Sequence, residues 1–400
     1  MKIGIIKEGK VPPDARVPLT PKQCRHIQTH FPVDILIQPS SNRTFADEAY
    51  EAEQLTLSDE MESCDVLMGV KEVPIEQLIS NKTYFFFSHT IKKQAYNRDL
   101  LRAILDKNIR LIDYEVLTNE AGQRLIAFGR FAGMVGAHNA LWTYGKRTGA
   151  FELKRMKDHL DYAEAKAYYQ SVDFPALKIV LTGTGRVGQG AAQVLRDMGI
   201  RGVRPKDFLA QSYEEAVFTQ LVCHDYAERK DRQAFKKQDF FDHPEWFQSK
   251  FAPYTYLSDI MINGIYWDNH APAFFTKEEM KKEAFRIKVI ADVTCDIAPV
   301  SSIPSTLRPS TIADPVFGYD PLQAAEVEAF QAHTIDMMTI DNLPNELPRD
   351  ASTAFGQQFT KHILPALLKE KSEIIERATV AENGQLGTHF QYLSDYVAGK

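Results

Sequence analysis

The chain is poor in cysteine, has no long apolar run and masses no charge of one sign. Its four cysteines, Cys24, Cys64, Cys223 and Cys295, lie far apart and form no C-x-x-C pair. That spacing argues against a zinc cluster and suits a reducing, cytoplasmic compartment, with buried inert thiols as the simplest reading. No apolar stretch is long enough to span a bilayer, so no membrane association is expected. The N-terminus, M-K-I-G-I-I-K-E-G-K, lacks a signal-peptide core and cleavage site, and reads instead as a first buried strand. The formal net charge is −6 and basic residues are dispersed, which speaks against a nucleic-acid surface. No metal site is expected, and neither repeats nor low-complexity tracts are present.

What is there is an ordinary globular composition spread over 400 residues, more than one hydrophobic core usually holds. Short β-rich runs alternate with helical patterns almost throughout. Strands are expected at Ile3–Ile6, Val33–Ile37, Val66–Val70, Tyr84–Phe87 and Arg110–Ile112, with helices at Lys22–Thr29 and Gln94–Lys107 between them. A second series begins near Leu177 and includes Val217–Leu221, Ile260–Ile265, Ile287–Ala291 and Met337–Ile340. Alternation of this kind predicts α/β architecture with largely parallel sheets. The helix-compatible stretch Phe131–Thr148, with small residues Ala132, Gly133, Gly136 and Ala137, marks the crossover between domains. Glu152–Tyr169 and the segment from Ala351 onward also read as helical. The charged stretch Glu228–Asp242 reads as a solvated insertion.

The segment V-L-T-G-T-G-R-V-G-Q-G, Val180 to Gly190, carries the most information. An apolar run feeds Gly183-x-Gly185-x-x-Gly188, and an amphipathic helical pattern follows. In that context the glycines, with Arg186 and Val187 among them, predict a dinucleotide-binding turn. Glycine permits the bend and lets backbone N–H groups approach a pyrophosphate at the helix N-terminus.

Polar residues collect at the ends of the first series of strands. Lys71 and Glu72 follow Val66–Val70, His89 ends Y-F-F-F-S-H, and Glu115 follows L-I-D-Y. Ligands of open parallel sheets bind beyond the carboxyl ends of the strands, so these residues are candidates for acid–base work. Arg16 and Arg124 are candidates for carboxylate binding, because a guanidinium fork pairs two oxygens at once. Asp296, after Ile287–Ala291, and Asp341 and Asn342, after Met337–Ile340, end strands of the second series. Each has a plainer alternative: a solvated lysine, a structural histidine, a surface ion pair or a capping carboxylate.

Several motifs together resemble the alanine dehydrogenase and pyridine nucleotide transhydrogenase superfamily, in its lysine-forming saccharopine dehydrogenase branch. The nearest likeness is to the lysine–2-oxoglutarate reductase domain of bifunctional aminoadipic semialdehyde synthases. They are D-A-R-V-P-L-T-P (14–21), V-K-E-V-P (70–74), F-F-S-H-T-I-K (86–92), R-L-I-D-Y-E (110–115) and I-A-F-G-R-F-A-G (126–133). T-G-T-G-R-V-G-Q-G-A (182–191), I-N-G-I-Y-W (262–267) and I-D-N-L-P-N-E-L-P-R-D-A-S (340–352) complete the set.

The resemblance implies two Rossmann-like parallel-sheet domains around a cleft. Residues 1–129 with 346–400 would form the substrate domain, and 130–345 the dinucleotide-binding domain. It implies acid–base roles for Lys71 and His89, and substrate binding by Arg16, Glu72, Glu115, Arg124 and Asp296. Cofactor binding would fall to Gly183, Gly185, Arg186, Val187, Gly188, Arg229, Asp341 and Asn342. The expected reaction is reversible NAD(P)-dependent condensation of lysine with 2-oxoglutarate to saccharopine. An alanine dehydrogenase-like deaminase, another opine synthase and a nucleotide-binding sensor stand as alternatives. Partners would be an amino acid and a 2-oxo acid, with an oligomer possible. The chain lacks the second catalytic module of the bifunctional enzymes, so one step is expected.

One feature departs from the NAD pattern. The acid expected about 20 residues after the glycines, for the ribose hydroxyls, is replaced by G-V-R-P-K-D, where Arg204 and Lys206 flank Asp207. H-D-Y-A-E-R-K (224–230) follows, with Arg229. Positive charge there tips the expectation toward NADP(H) over NAD(H).

Overall fold

The computed structural model describes residues 1–400, which divide into two compact units: Met1–Phe128 with Pro348–Lys400, and Gly129–Leu347. Each is an α/β unit built on an eight-stranded sheet.

In the first unit the strands are β1 (Lys2–Ile5), β2 (Asp34–Ile37), β3 (Thr56–Leu57), β4 (Val66–Met68), β5 (Thr83–Phe86) and β6 (Arg110–Asp113). They pair in parallel in the order β6-β5-β4-β1-β2-β3. Parallel strands are covered on both faces, which is why they read as unbroken apolar runs. Gly4 in β1 lets Leu67, Cys64 and Met61 close in: a Cβ there would sit 2.8 Å from Leu67 and 3.0 Å from each sulfur. Helix α1 (Pro21–His30) starts with a reciprocal cap between Thr20 and Gln23 and has proline in its first turn. Helix α2 (Arg98–Asp106) buries Leu100, Leu101 and Ile104 against the sheet face carrying Tyr84, Phe86 and Leu111. It starts later than Gln94, because Ala95–Asn97 form a separate 3-10 turn.

The C-terminal segment was expected to be helical from Ala351 onward. It is helical only in part, for Thr379–Glu382 and Gln385–Leu386 form a hairpin, and the first of these strands pairs antiparallel with β6. Asn383 and Gly384 make the turn, with φ of +53° and +71°. Asn-Gly is the pair that tolerates two left-handed residues in a two-residue hairpin. The sheet is therefore parallel with an antiparallel edge.

In the second unit α3 (Gly129–Thr148) precedes β7 (Lys178–Thr182), α4 (Arg186–Asp197), β8 (Arg201–Gly202) and β9 (Val217–Leu221). A small two-stranded piece, β10 (Ala227–Arg229) with β11 (Phe247–Ser249), stands apart from the main sheet. The chain continues through β12 (Ile260–Asn263), β13 (Val289–Asp292), β14 (Val316–Asp320), β15 (Ala325–Val327) and β16 (Ile335–Met338). The main order is β15-β14-β16-β13-β12-β7-β9-β8, parallel except for β14 and β15. The glycines of α3 and α4 bring these helices into backbone contact. A Cβ on Gly133 would lie 1.9 Å from the Val187 carbonyl oxygen, and one on Gly190 2.0 Å from that of Arg130.

Two further expectations fail here. Glu152–Tyr169 is not one helix: only Tyr162–Tyr168 is α-helical. The run before it holds only the 3-10 turn Met156–Asp158, and its backbone is tied to α3 instead. His138 Nε2 donates to the Lys154 carbonyl at 2.7 Å, and Asn139 Oδ1 accepts from the Met156 N–H at 3.4 Å. Glu228–Asp242 is not simply solvated either. Phe235 and Phe240 pack on Phe247, with ring centroids 5.4 and 5.1 Å apart.

Candidate functional site

In the first unit β4, β5 and β6 are adjacent, so the residues beyond their carboxyl ends are neighbours. Glu72 is the hub. Its Oε1 accepts from His89 Nδ1 at 2.5 Å and its Oε2 from Lys10 Nζ at 2.8 Å. Burial opposes its charge, but the hydrogen bonds from His89 and Lys10 outweigh that and hold the carboxyl at about 2. An ionised Glu72 fixes the proton on Nδ1 and leaves Nε2 as the working nitrogen of His89. The turn bearing His89 is anchored separately. Asp113, at the end of β6, accepts from the Ser88 N–H at 3.0 Å, the Ser88 hydroxyl at 2.5 Å and the Glu115 N–H at 2.7 Å. One buried carboxylate thus holds both His89, whose φ is +53°, and Glu115. Sequence reading passed over Asp113, although its place one step before Tyr114-Glu115 was visible.

Lys71, beside Glu72, has its ammonium pKa lowered, first by burial and then by Arg16. That is the direction a proton acceptor near neutral pH needs. Glu115 also resists the effect of burial: Lys92 and Arg124 keep it below the ordinary value. Arg124 donates to its Oε1 at 2.6 Å.

The two arginines expected to meet substrate are therefore engaged with acids of the protein. Arg16 lies buried over the Phe128 ring at 4.3 Å, and its Nε and Nη2 donate to the two oxygens of Asp14 at 2.9 and 2.6 Å. A substrate carboxylate would have to share or displace Asp14. Arg124, half exposed, would have to turn from Glu115.

In the second unit the glycine turn lies between β7 and α4 as its pattern requires. Gly183 has φ +92°, and a Cβ on Gly188 would fall 2.1 Å from the Gly183 carbonyl oxygen. Gly185 differs, with open space where its Cβ would be. Gln220 Nε2 donates to the Gly183 carbonyl at 2.9 Å and steadies the turn. Arg186 is exposed at the helix start, whereas Val187 turns inward onto Gly264.

Gly183, Thr184 and Gly185 line a cavity of about 740 Å³ together with Val222, Cys223, His224, Lys237 and Gly264. That lining fits a nucleotide: backbone donors at a helix start, open space at Gly185, and two basic side chains farther out.

The strand beside β7 is β9, not β8. The region read from sequence as the ribose-binding strand end is therefore displaced to the sheet edge, where Arg204 and Asp207 pair with each other at 2.7 Å. The residues beyond β9 take its place. Asp225 accepts from the Val222 N–H at 2.9 Å, so its carboxylate is spent within the loop. Arg229 does not line the cavity. It is clamped by Asp231 and Asp239 at 2.6 and 3.0 Å and lies over Trp246. The basic residues that do line it, His224 and Lys237, were not singled out from sequence.

Behind the turn, strand ends are tied by hydrogen bonds from uncharged donors. The Thr182 hydroxyl donates to Asn263 at 2.7 Å, and Asn263 donates to Asp292 at 2.9 Å. The Thr306 hydroxyl donates to Asp292 at 2.6 Å. Asp296, just beyond β13, is pushed up to about 6 by burial and by Asp292. Asp341 and Asn342 follow β16, three strands from β7, and neither lines the glycine cavity.

The fold and this strand-end chemistry define a class, and comparison with known proteins bears on which one. Residues 4–135 match the alanine dehydrogenase/PNT N-terminal domain. Over that segment the chain resembles the alanine dehydrogenase/PNT proteins. It is 30% identical over 432 residues to the mitochondrial alpha-aminoadipic semialdehyde synthase of Mus musculus, covering 95% of this chain and 46% of that protein. The chain thus spans about half the length of these curated relatives. It is 25% identical to the NAD(+), L-lysine-forming saccharopine dehydrogenase of Emericella nidulans, over 97% of this chain and 98% of that one. An L-alanine dehydrogenase structure superposes with TM-score 0.67 at 16% identity, covering 99% of this chain and 100% of that one, and so shares the fold. No helix is long and apolar enough to cross a membrane.

Proposed function

We propose that the chain is a nicotinamide-dependent oxidoreductase that reversibly condenses an amino-acid amine with a 2-oxo acid, with lysine and 2-oxoglutarate giving saccharopine as the favoured pair. The observation carrying this reading is the Lys10–Glu72–His89 chain beside a lysine whose ammonium is driven downward. Condensation to an imine needs protons added and removed in turn near neutral pH, and a lysine and a histidine side by side can divide those transfers. Lys71 would take a proton from the secondary amine in the oxidative direction. His89, through Nε2, would serve the hydroxyl of the carbinolamine as water leaves. Glu72 would hold the imidazole's orientation and stabilise its protonated form. Arg124 would leave Glu115 to pair with a substrate carboxylate, and Arg16 would act together with Asp14. The names of the relatives in both branches support the same class.

The nicotinamide ring, when bound, supplies or accepts the hydride. Gly183, Gly185 and Gly188 would hold the pyrophosphate, aided by the first turn of α4 with Arg186 and Val187. We assign the cofactor preference to NADP(H). His224 and Lys237 take the place where an NAD site offers an acid, and a 2′-phosphate needs positive charge there. Asp296, Asp341 and Asn342 keep supporting positions at strand ends. The four unpaired cysteines favour a reducing compartment such as the cytoplasm. The test is loss of reduced-cofactor absorbance with lysine and 2-oxoglutarate, run with NADH and with NADPH. Turnover favouring NADPH is expected. Turnover with pyruvate and ammonia instead would move the chain to the deaminases.

A further inference from the structure

We propose that Glu8 is a positioning residue for Lys71, which sets where the lysine leaves the backbone. Glu8 follows β1 by three residues, and β1 lies beside β4 in the sheet. Its side chain reaches across to the segment after β4. One oxygen accepts from the Val70 N–H at 2.6 Å and the other from the Lys71 N–H at 2.9 Å. Two oxygens on two consecutive N–H groups form a fork that fixes a peptide plane as well as a position. The ladder between β4 and β5 does not use these donors, so without Glu8 the N–H of buried Val70 would be unmatched and that of Lys71 would lose its partner. The fit is close on the other side as well: a Cβ on Gly69 would lie 3.3 Å from Glu8 Oε1.

The location is unfavourable for a carboxyl. Burial and then Asp14 push Glu8 up to about 8, against the two N–H bonds and Arg16. A carboxyl held there against burial is kept for the two N–H groups it binds, and one of these belongs to Lys71 itself. The proposal rests on the reading of Lys71 above.

Glu8→Gln keeps the size but turns an amide NH2 toward one of the two donors. In that variant kcat is expected to fall about tenfold, with both substrate KM values little changed, because a small displacement of a catalytic group affects the reacting state most. The discriminating measurement repeats the substitution in a Lys71→Met background. A residue acting through Lys71 adds no loss there, whereas an equal loss in both backgrounds overturns the proposal. So does an unchanged kcat in the single variant. If the wild-type protein turns over no amine and oxo-acid pair, the functional reading fails, and Glu8 is tested without activity. Acetylation of Lys71 by acetic anhydride is then followed by peptide mass spectrometry, and a rate raised about threefold or more in folded Glu8→Gln supports the proposal. A smaller change overturns it. If Glu8→Gln does not fold, Glu8→Asp, which withdraws both oxygens by one methylene, is judged by the same outcomes.

Discussion

The two units end their parallel strands in opposite chemistry. Beyond β4, β5 and β6 stand ions in hydrogen-bonded contact: Lys10 with Glu72, Glu72 with His89, Arg124 with Glu115. Beyond β7, β12 and β13 stand glycines and neutral donors, with Thr182, Asn263 and Thr306 closing on the one buried carboxyl of Asp292. The first arrangement can pass protons where Glu72 meets His89, whereas Arg124, always protonated, only pairs with Glu115. The second presents backbone and shape, with the basic side chains of His224 and Lys237 lining its cavity. One framework, the carboxyl edge of a parallel sheet, thus serves as a reactive surface in one unit and as a holder in the other. The difference lies in a handful of residues after each strand.

The sharpest way to break this contrast is to neutralise the reactive side. Lys71→Met should lower the single-turnover rate of hydride transfer by about 10²–10⁴-fold, the span of a lost acid–base catalyst. Cofactor binding, monitored by quenching of protein fluorescence, should be nearly unchanged. A rate within threefold of wild type would remove Lys71 from the chemistry.

On the holding side the corresponding break is steric. Gly188→Ala places a methyl 2.1 Å from the Gly183 carbonyl oxygen, a backbone atom that cannot swing aside. Overpacking of this kind costs about 1–3 kcal/mol and here distorts the turn itself. NADPH affinity by titration calorimetry should drop at least about tenfold, by the same conversion of free energy. The Gly185 position makes the control, since its Cβ direction is open. Gly185→Ala should leave the fold's melting temperature alone and affect only ligand binding.

Most of this contrast was legible in the sequence, because its carriers are local. Gly183-x-Gly185-x-x-Gly188 needs only its neighbours to be read, and so does a lysine or histidine directly after an apolar run. What escaped was set by contacts distant along the chain. Nothing near Arg204 or Asp207 shows that β9 inserts between β7 and β8, yet that insertion moves the outer end of the nucleotide cavity to His224 and Lys237. Arg229 was a poor choice for the same reason, since Asp239, ten residues on, fills one side of its fork. Phe131–Thr148 was read as helix-compatible, and α3 covers it. The irregular run Glu152–Asp161, with its single 3-10 turn, was not foreseen, because its partners His138 and Asn139 lie in α3. The C-terminal hairpin had a visible signal in Asn383-Gly384, which the helical pattern around it outweighed.

Charge reversal at the outer end of the cavity sharpens the contrast by cofactor rather than by chemistry. Lys237→Glu should weaken NADPH relative to NADH by about tenfold in kcat/KM, the effect of exchanging an attractive for a repulsive charge at a partly solvated site. The NADH value should stay within about twofold. Equal losses for both cofactors would mean that Lys237 does not meet the 2′-phosphate.

The smallest effects carry the contrast into stability, where the two edges differ in sign. Glu72 is held at about 2, below its ordinary 4.5. Its contribution to folding is fully present above pH 4.5 and disappears as pH falls toward 2. Asp296 is raised from 3.8 to about 6. Its carboxyl favours the folded state below pH 3.8, and that preference is lost as pH rises through 6. Glu72→Gln should therefore melt a few degrees below wild type at pH 7, with the gap narrowing on acidification. Asp296→Asn should do the reverse, melting slightly above wild type at pH 7 and converging with it near pH 4. Asp296 is half exposed, so solvent screening makes its shift the smaller of the two. Parallel curves for both variants would mean that neither carboxyl is perturbed by its edge, and the division into an ionic surface and a neutral holder would lose its energetic basis.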